Sequence, residues 1–388
     1  MKKKIAILGS TGSIGKSTLD IIEKDLKNFS IVLLTANTNY TILARQAKKF
    51  KAENVLIKDK NLINKLKHLL KKTKTKVYAG DISENNIISR KIDFTMSSIV
   101  GIAGLQPTID AIKFSREVAL ANKESIICAW NIILSYSKKY KTKIFPVDSE
   151  HFSIMQLTKE ITNDKIKEIL ITASGGPFLN TPLKKLNRVK PNQAIKHPNW
   201  SMGKKISVDS SNLMNKVFEV IEAYKLFNFD KSKYKIVIHP QSYVHSIIRF
   251  KNGLTKMILY NTDMKIPIAN ILYRDKKYVY DKANFNLDIL NKLTFYKVNS
   301  KKFPSVKLIN KCLNMGFSTP IIVNASNEIL VSQFLKGKIG FLDIVSIINK
   351  ILKDKDFKFY AKRKPRSLKD IKITDNWARL KTLKMCVR

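Results

Sequence analysis

Residues 9–15 read Gly-Ser-Thr-Gly-Ser-Ile-Gly and lie between an apolar run at 4–8 and a helical pattern starting at Ser13. No other segment limits the possible fold as strongly. The chain has only 13 glycines, and three of them, Gly9, Gly12 and Gly15, fall within these seven positions. Small residues at a strand-to-helix turn let backbone amides approach a pyrophosphate at the positive end of the helix. The spacing Gly-x-x-Gly-x-x-Gly differs from the commoner Gly-x-Gly-x-x-Gly. Its position at the first strand–helix junction nevertheless favours nucleotide binding over an ordinary glycine-rich turn.

The pattern downstream agrees with that start. Short apolar runs at 4–8, 31–35, 55–57 and 94–100 read as strands, with helical patterns at 13–27, 41–50 and 60–72 between them. Further strands are predicted at 118–121 and 143–147, separated by a helix over 123–139. Strand–helix–strand at this spacing implies a parallel sheet covered on both faces, so residues 1–147 form a doubly wound α/β domain. From 148 the character changes. A strand at 168–173 runs into Ser-Gly-Gly-Pro, and residues 180–203 lack periodicity, as a functional lid does. A single helix is expected over 210–227. Strands follow at 235–239, 244–250 and 254–260, the last two joined by the hairpin signal Asn252-Gly253. Beyond about 300 the patterns are helical, as at 324–335 and 341–352. The expected domains are 1–147, 148–300 and 301–388.

Composition excludes several classes. With 44% hydrophobic and 26% charged residues the chain is globular. No apolar run approaches the ~18 residues of a membrane span; the longest, 126–134, is interrupted by Asn131. The N-terminal MKKKIAIL stops being apolar at Leu8, too early for a secretion signal, so a cytoplasmic location is expected. Cys128, Cys312 and Cys386 have no paired spacing, which argues against a disulfide framework or zinc site. The 72 Lys+Arg against 30 Asp+Glu give a net charge of +42. Such a charge suits a nucleic-acid binder. The lysines are, however, spread along the whole chain without a basic stripe interleaved with aromatics, which favours compositional bias and no specific nucleic-acid partner.

Candidate chemistry lies in the middle of the chain. Asp148-Ser149-Glu150 follows a strand, and in extended backbone residues two apart face the same side. Two converging carboxylates repel unless a cation or proton lies between them, and oxygen-only donors favour Mg²⁺ or Mn²⁺. Glu219 is a candidate third ligand. Asn215, Lys216 and Glu219 share a helix face and, with Ser210, offer groups suited to a phosphorylated, metal-chelated substrate. Ser174 in Ser-Gly-Gly could accompany exposed amides toward phosphate. His197 lies in the irregular segment with Trp200 and Met202, where a lid residue is expected. After the second strand, Asn37-Thr38-Asn39 offers neither an acid for ribose hydroxyls nor a base for a 2′-phosphate. The spot does not choose between NAD and NADP, although the missing acid leans toward NADP.

In this order, GSTGSIG (from Gly9), LANKES (from Leu120), PVDSEH (from Pro146), SGGPF (from Ser174), HPNWSMG (from His197), SVDS with MNK (207–216), EVIEA (219–223), HPQS (from His239) and NAxNEI (324–329) resemble the 1-deoxy-D-xylulose 5-phosphate reductoisomerase family. The match runs to about residue 335 and is weak beyond. The resemblance implies an N-terminal Rossmann-like NADPH domain, a central α+β catalytic domain with a flap at about 180–205, a C-terminal helical domain, and a homodimer. It implies rearrangement of 1-deoxy-D-xylulose 5-phosphate and NADPH reduction to 2-C-methyl-D-erythritol 4-phosphate, on the non-mevalonate route to isoprenoids. Asp148, Glu150 and Glu219 would be the ligands of Mg²⁺ or Mn²⁺, with Co²⁺ a further candidate. Lys123 would sit near the reacting carbons and Ser149 would contact substrate hydroxyls. Ser174, His197, Ser210, Asn215 and Lys216 would hold the substrate and its phosphate. Thr11, Gly12, Ser13 and Ile14 would hold the cofactor pyrophosphate, with Asn39, Asn122, Glu124 and Gly203 also at the cofactor. At Asn37-Thr38-Asn39 the chain departs from the basic residue many family members carry. The rival expectations are a plain NADP-dependent dehydrogenase and a nucleic-acid-binding protein.

Overall fold

The computed structural model describes residues 1–200, 202–274 and 287–386, so Ser201 of the expected flap lies outside the described residues. The chain divides into two compact units. The first comprises Met1–Ser125, Asn131–Phe152 and Asp263–Asp281; the second comprises Ile126–Trp130, Ser153–Thr262 and Lys282–Arg388.

The first unit is built on seven strands: β1 (Lys3–Leu8), β2 (Phe29–Ala36), β3 (Asn54–Ile57), β4 (Lys76–Ala79), β5 (Ile92–Ser97), β6 (Ser115–Leu120) and β7 (Lys143–Pro146). Their order is β4-β3-β2-β1-β5-β6-β7, and every neighbouring pair is parallel. Residues 5–8 of β1 are fully buried, as a strand covered on both faces requires. The chain builds outward from β1 to β4, then returns to β5 on the other side of β1. The topological switch therefore falls at the end of β1, where Gly9 begins. Gly9 has φ +82°, and a Cβ on Gly15 would come within 2.5 Å of the Gly9 carbonyl oxygen. The first and third glycines are thus required by the turn itself.

Sequence patterning missed several elements of this unit, among them β4 and the helix Leu105–Phe114, and overran others. The edge strand β4 is only four half-exposed residues with a weak apolar signal. The helix Leu105–Phe114 carries Pro107, which reads as a breaker in sequence but sits in the first turn, where no intrahelical donor is lost. The first helix ends at Glu23 rather than 27, because the Asn28 amide bonds the Asp25 carboxylate at 2.8 Å and closes a turn leading into β2.

The second unit holds a mixed sheet of β8 (Ile166–Ala173), β9 (Tyr234–Ile238), β10 (Val244–Phe250), β11 (Thr255–Leu259) and β12 (Tyr296–Lys297), ordered β11-β10-β8-β9-β12. Only β8 and β9 run parallel. The hairpin at Asn252-Gly253 is present, with Gly253 at φ +90°. Ile166, Ile169 and Ile171 of β8 pack with Val220, Ala223, Ile248 and Phe250 in one core cluster. The single helix expected over 210–227 is instead two, Lys204–Ser211 and Met214–Phe227. Leu213 adopts left-handed torsions (φ 62°), which ends one helix and redirects the chain into the next. Further on, the helices Thr319–Leu335 and Leu368–Cys386 are joined by Arg379 to Glu328 and by Thr382 to Ser326 at 3.0 Å. Among the described residues no helix is long and apolar enough to cross a membrane. None of the three cysteines forms a disulfide among the described residues.

The helix Lys123–Tyr140 is broken at Ala129 (φ −136°, ψ 16°). In the second unit, Lys225 donates from Nζ to the Ile127 carbonyl at 2.6 Å, next to that break. The side chain is half-buried and its ammonium points inward. Burial pulls it down to about 8 from an ordinary value near 10.5. Below pH 8 both folded and unfolded chains carry this proton. Between 8 and 10.5 only the unfolded chain does, so this group makes the fold more stable as pH rises. At about 1.4 kcal/mol per pH unit the effect is at most on the order of 3 kcal/mol. Chemical denaturation across this range should show the stability of Lys225→Met falling relative to the wild type as pH rises. A difference independent of pH would show that the ammonium is not held out of water.

Candidate functional site

In the first unit, every residue predicted to bind cofactor or metal lies just past the carboxyl end of a strand. Thr11, Gly12, Ser13 and Ile14 follow β1 and open the helix Ser13–Glu23. That helix has no side-chain cap and no acid in its first turn, so its first amides remain available to an anion. The turn is braced from β2: Gly9 N donates to Thr35 Oγ1 at 3.0 Å, and Ser10 Oγ bonds Gln46 Oε1 at 2.7 Å. Asn39 caps the helix Tyr40–Phe50, its Oδ1 accepting from Ile42 N at 3.1 Å.

Asn122 follows β6. Its Oδ1 accepts from Ser125 N at 2.6 Å, and its Nδ2 donates to the carbonyls of Ile99 and of Gly101, the latter at 2.8 Å. With both ends of its amide engaged, Asn122 shapes the loop after β5. Gly104 makes room for it, since a Cβ there would lie 2.2 Å from Asn122 Nδ2. Glu124 is buried one residue beyond Lys123.

Lys123 Nζ lies 3.0 Å from Asp148 Oδ2. The extended geometry expected at 148–150 is corrected: Ser149–Leu157 is a helix, and Asp148 precedes it with Oδ1 accepting from Glu150 N at 3.4 Å. A helix start, not a strand, brings Asp148 and Glu150 together, with carboxylate oxygens within 4.8 Å of each other. Ser149 Oγ donates to Glu150 Oε2 at 2.5 Å, and His151 Nδ1 lies 3.5 Å from Asp148 Oδ1. Two carboxylates this close, largely withdrawn from water, form an all-oxygen donor set suited to a hard divalent cation.

In the second unit, Ser174, His197, Ser210, Asn215, Lys216 and Glu219 belong to four segments. Ser174 ends β8. Gly175 (φ +83°) and Gly176 (φ +64°) then turn the chain so tightly that a Cβ on Gly176 would meet Ser211 Cα at 2.8 Å and the Ser210 carbonyl oxygen at 2.9 Å. The end of the helix carrying Ser210 therefore lies against the Ser-Gly-Gly loop. The helix Met214–Phe227 starts with Met214 N donating to Asn212 Oδ1 at 3.0 Å, followed by Asn215 and Lys216. Lys216 Nζ bonds Glu219 Oε2 at 2.6 Å, and Asn215 bonds the other carboxylate oxygen, Glu219 being 1% exposed. Gly203 is exposed and precedes the helix Lys204–Ser211.

His197 determines the donor role of Ser174. Its Nδ1 accepts from Asn199 N at 3.2 Å and Trp200 N at 3.0 Å, so the ring proton belongs on Nε2. Nε2–H donates to Ser174 Oγ at 2.9 Å, and Gly176 N donates to the same oxygen at 3.1 Å. With two donors on its oxygen, the Ser174 hydroxyl must turn its own proton outward, toward an acceptor such as a phosphate oxygen. Burial, and next the Lys216 charge, hold the His197 imidazole down to about 4. The segment carrying it is anchored at Asn199, whose Nδ2 donates to Pro240 O at 2.6 Å and Ser242 Oγ at 2.9 Å. Trp200 meets the His245 ring edge-on at 6.1 Å, and His245 stacks on Tyr260 at 4.0 Å. Sequence reading assigned no role to Asn199, Gly104 or Gln46. Each acts through a partner 18 or more residues away, a relation that no local pattern carries.

The family model described as 1-deoxy-D-xylulose 5-phosphate reductoisomerase matches residues 5–130. The models for its C-terminal domains match 144–227 and 259–381. The last of these overturns the expectation that the resemblance weakens after about 335. A 1-deoxy-D-xylulose 5-phosphate reductoisomerase of Pelagibacter ubique is 46% identical over 387 residues, covering 99% of this chain and 100% of the relative. That of Zymomonas mobilis is 39% identical over 97% of this chain and 96% of its own. The solved Zymomonas mobilis reductoisomerase in complex with NADPH superposes with a TM-score of 0.92 over the whole of both chains at 37% identity. A reductoisomerase solved with NADPH, fosmidomycin and magnesium gives 0.91 at 32% identity, over 99% of this chain and 98% of that one. Agreement along almost the full length of both chains, in sequence and in fold, is what common descent leaves behind: this chain belongs to the 1-deoxy-D-xylulose 5-phosphate reductoisomerase family.

Proposed function

We propose that this chain carries out its family's reaction, converting 1-deoxy-D-xylulose 5-phosphate to 2-C-methyl-D-erythritol 4-phosphate with NADPH and a divalent cation. The observation that carries this reading is the pair Asp148 and Glu150 beside the Lys123 ammonium, past the carboxyl edge of a sheet whose switch-point turn fits a pyrophosphate. Relatives solved with NADPH and with magnesium support both groups.

The residues that would hold the cation are Asp148, Glu150 and Glu219; magnesium and manganese both suit these oxygens, with cobalt a further candidate. The cation supplies Lewis-acid polarisation of the substrate oxygens, and NADPH supplies the hydride. Lys123 places positive charge beside the reacting carbons, and Ser149 faces substrate hydroxyls. Ser174, as an outward donor, joins His197, Ser210, Asn215 and Lys216 in gripping the phosphate, whose remote binding energy orients the ketose. Thr11, Gly12, Ser13 and Ile14 present the first-turn amides to the pyrophosphate. Asn39, Asn122, Glu124 and Gly203 line the rest of the cofactor's path. Trp200 and Met202 close over the site and exclude water.

We assign cofactor binding to 1–147, catalysis to 148–300 and support to the helices of 301–388. The enzyme acts as a homodimer in the cytoplasm, where thiols such as Cys128, Cys312 and Cys386, which form no disulfide, stay reduced.

Purified protein should oxidise NADPH with the ketose phosphate only when Mg²⁺ or Mn²⁺ is present. Asp148→Asn should lower kcat by at least about 10³-fold, corresponding to lost transition-state charge stabilisation, while circular dichroism stays native. Near-normal turnover after chelation would sink this reading, and reduction of the aldehyde without turnover of the ketose would identify a plain dehydrogenase.

His197 gives a second test. Its folded value lies near 4, below the ordinary 6.5. As pH falls from 6.5 toward 4 the unfolded chain takes up this proton first, so the fold loses stability in that window. Nuclear magnetic resonance of the ring nitrogens should show the neutral Nε2–H form unchanged from pH 8 to about 5. A ring titrating near 6.5 would disprove the assigned donor direction at Ser174.

A further inference from the structure

The helix Lys204–Ser211 buries a carboxylate one residue from Ser210. Asp209 is 1% exposed, with Oδ2 3.0 Å from Lys205 Nζ and Oδ1 accepting from Asn327 Nδ2 at 2.8 Å. Asn327 is itself fully buried, on the helix Thr319–Leu335, 118 residues further along the chain. A second tether reaches the same joint: fully buried Ser305 donates from Oγ to the Asn212 carbonyl at 2.5 Å. Asn212 is where the helix ends before Leu213 turns left-handed and Asn215 and Lys216 begin the next helix.

As a stabiliser this arrangement is poorly chosen. A buried charge and its partners give little or no stability over apolar residues of the same volume. What they provide is direction: a planar carboxylate held by two donors fixes the rotation of a short helix about its axis, which a greasy contact leaves loose. Rotation of this helix carries Ser210 toward or away from the Ser-Gly-Gly loop packed against its end.

We infer that Asn327, acting through the buried carboxylate of Asp209, is a positioning residue that sets the orientation of Ser210 and with it the affinity for the substrate's phosphate. The inference rests on the phosphate grip proposed above. Asn327 touches no reacting atom, and its influence falls on phosphate binding, not on the hydride or the cation.

The test uses the full-length enzyme with NADPH and Mg²⁺. Asn327→Leu keeps the volume and removes the donor. It should raise KM for the ketose phosphate about tenfold, equivalent to about 1.4 kcal/mol, with kcat within about twofold, as expected when ground and transition states lose the same interaction. Inhibition by inorganic phosphate should weaken in proportion, while NADPH affinity, read by fluorescence, stays unchanged. The exchange variant Asp209→Asn with Asn327→Asp keeps the hydrogen bond with donor and acceptor reversed, and should recover most of the lost affinity. If Asn327→Leu does not fold, Asp209→Asn alone, which keeps the shape, should show the same KM-selective change in smaller measure. An unchanged KM, or a fall in kcat, NADPH affinity and melting temperature together, overturns the inference. Ser210→Ala separates the two levels. If it weakens phosphate inhibition while Asn327→Leu does not, only the positioning role fails. If it leaves phosphate inhibition intact, the grip itself was misread and the inference falls with it.

Discussion

Parallel strands can be joined only by crossovers, and this constraint places the chemistry of the first unit. Because β1 to β7 all run the same way, every turn out of a strand opens on one edge. The glycine turn after β1, Asn39 after β2, Asn122 to Glu124 after β6 and Asp148 to Glu150 after β7 share that edge without any need to be neighbours in sequence. The reversal of strand order at β1 then leaves room for a dinucleotide where the first crossovers diverge to opposite faces. Side-chain bonds refine the edge. Asn122 spends its whole amide on holding two loops together, and Gly104 yields the space for it.

The second unit solves a different problem with a different device. Its sheet is mixed, so it has no single edge of outgoing turns, and the groups proposed to face phosphate come from a cluster of chain breaks. Gly175, Gly176 and Leu213 all take positive φ. Left-handed torsions in a non-glycine residue cost about 1–2 kcal/mol, and such strain persists only where the surroundings over-determine it. Here the tight approach of Gly176 to Ser211 and the tethers from Ser305 and Asn327 do so. His197 completes the arrangement: backbone amides fix its tautomer, and the tautomer fixes which way a serine hydroxyl points.

How much of this was legible in the sequence depends on how local each signal is. The first strand, the glycine turn and the hairpin at Asn252-Gly253 are properties of a few adjacent residues, and their chemistry reads directly. The acids at 148 and 150 were legible as a pair, but not as the start of a helix, because spacing by two suits extended backbone as well as a first turn. Ser210 was placed on the same helix as Glu219, because the polar stretch Ser-Ser-Asn shows no breaker and a left-handed leucine has no signature. β4 was missed because four half-exposed residues offer too little pattern. The bond from Asn327 to Asp209 spans 118 residues and leaves no local trace at either end. The motif containing Asn327 was visible, its purpose was not.

The cysteines have a practical consequence. Burial pushes the Cys312 thiol up to about 12, and Cys128 is likewise enclosed. Thiolate is the reactive species, and at neutral pH a thiol of that kind holds roughly one part in 10⁵ of it. Alkylating dyes and mild oxidants will therefore pass Cys312 by, and enclosure shields Cys128. This leaves Cys386, partly open at the tip of the last helix though its thiol too is held above the ordinary value by burial, as the most accessible of the three. The natural chain already carries one selective handle for a spectroscopic probe or a surface tether, and no engineered substitution is needed to attach it.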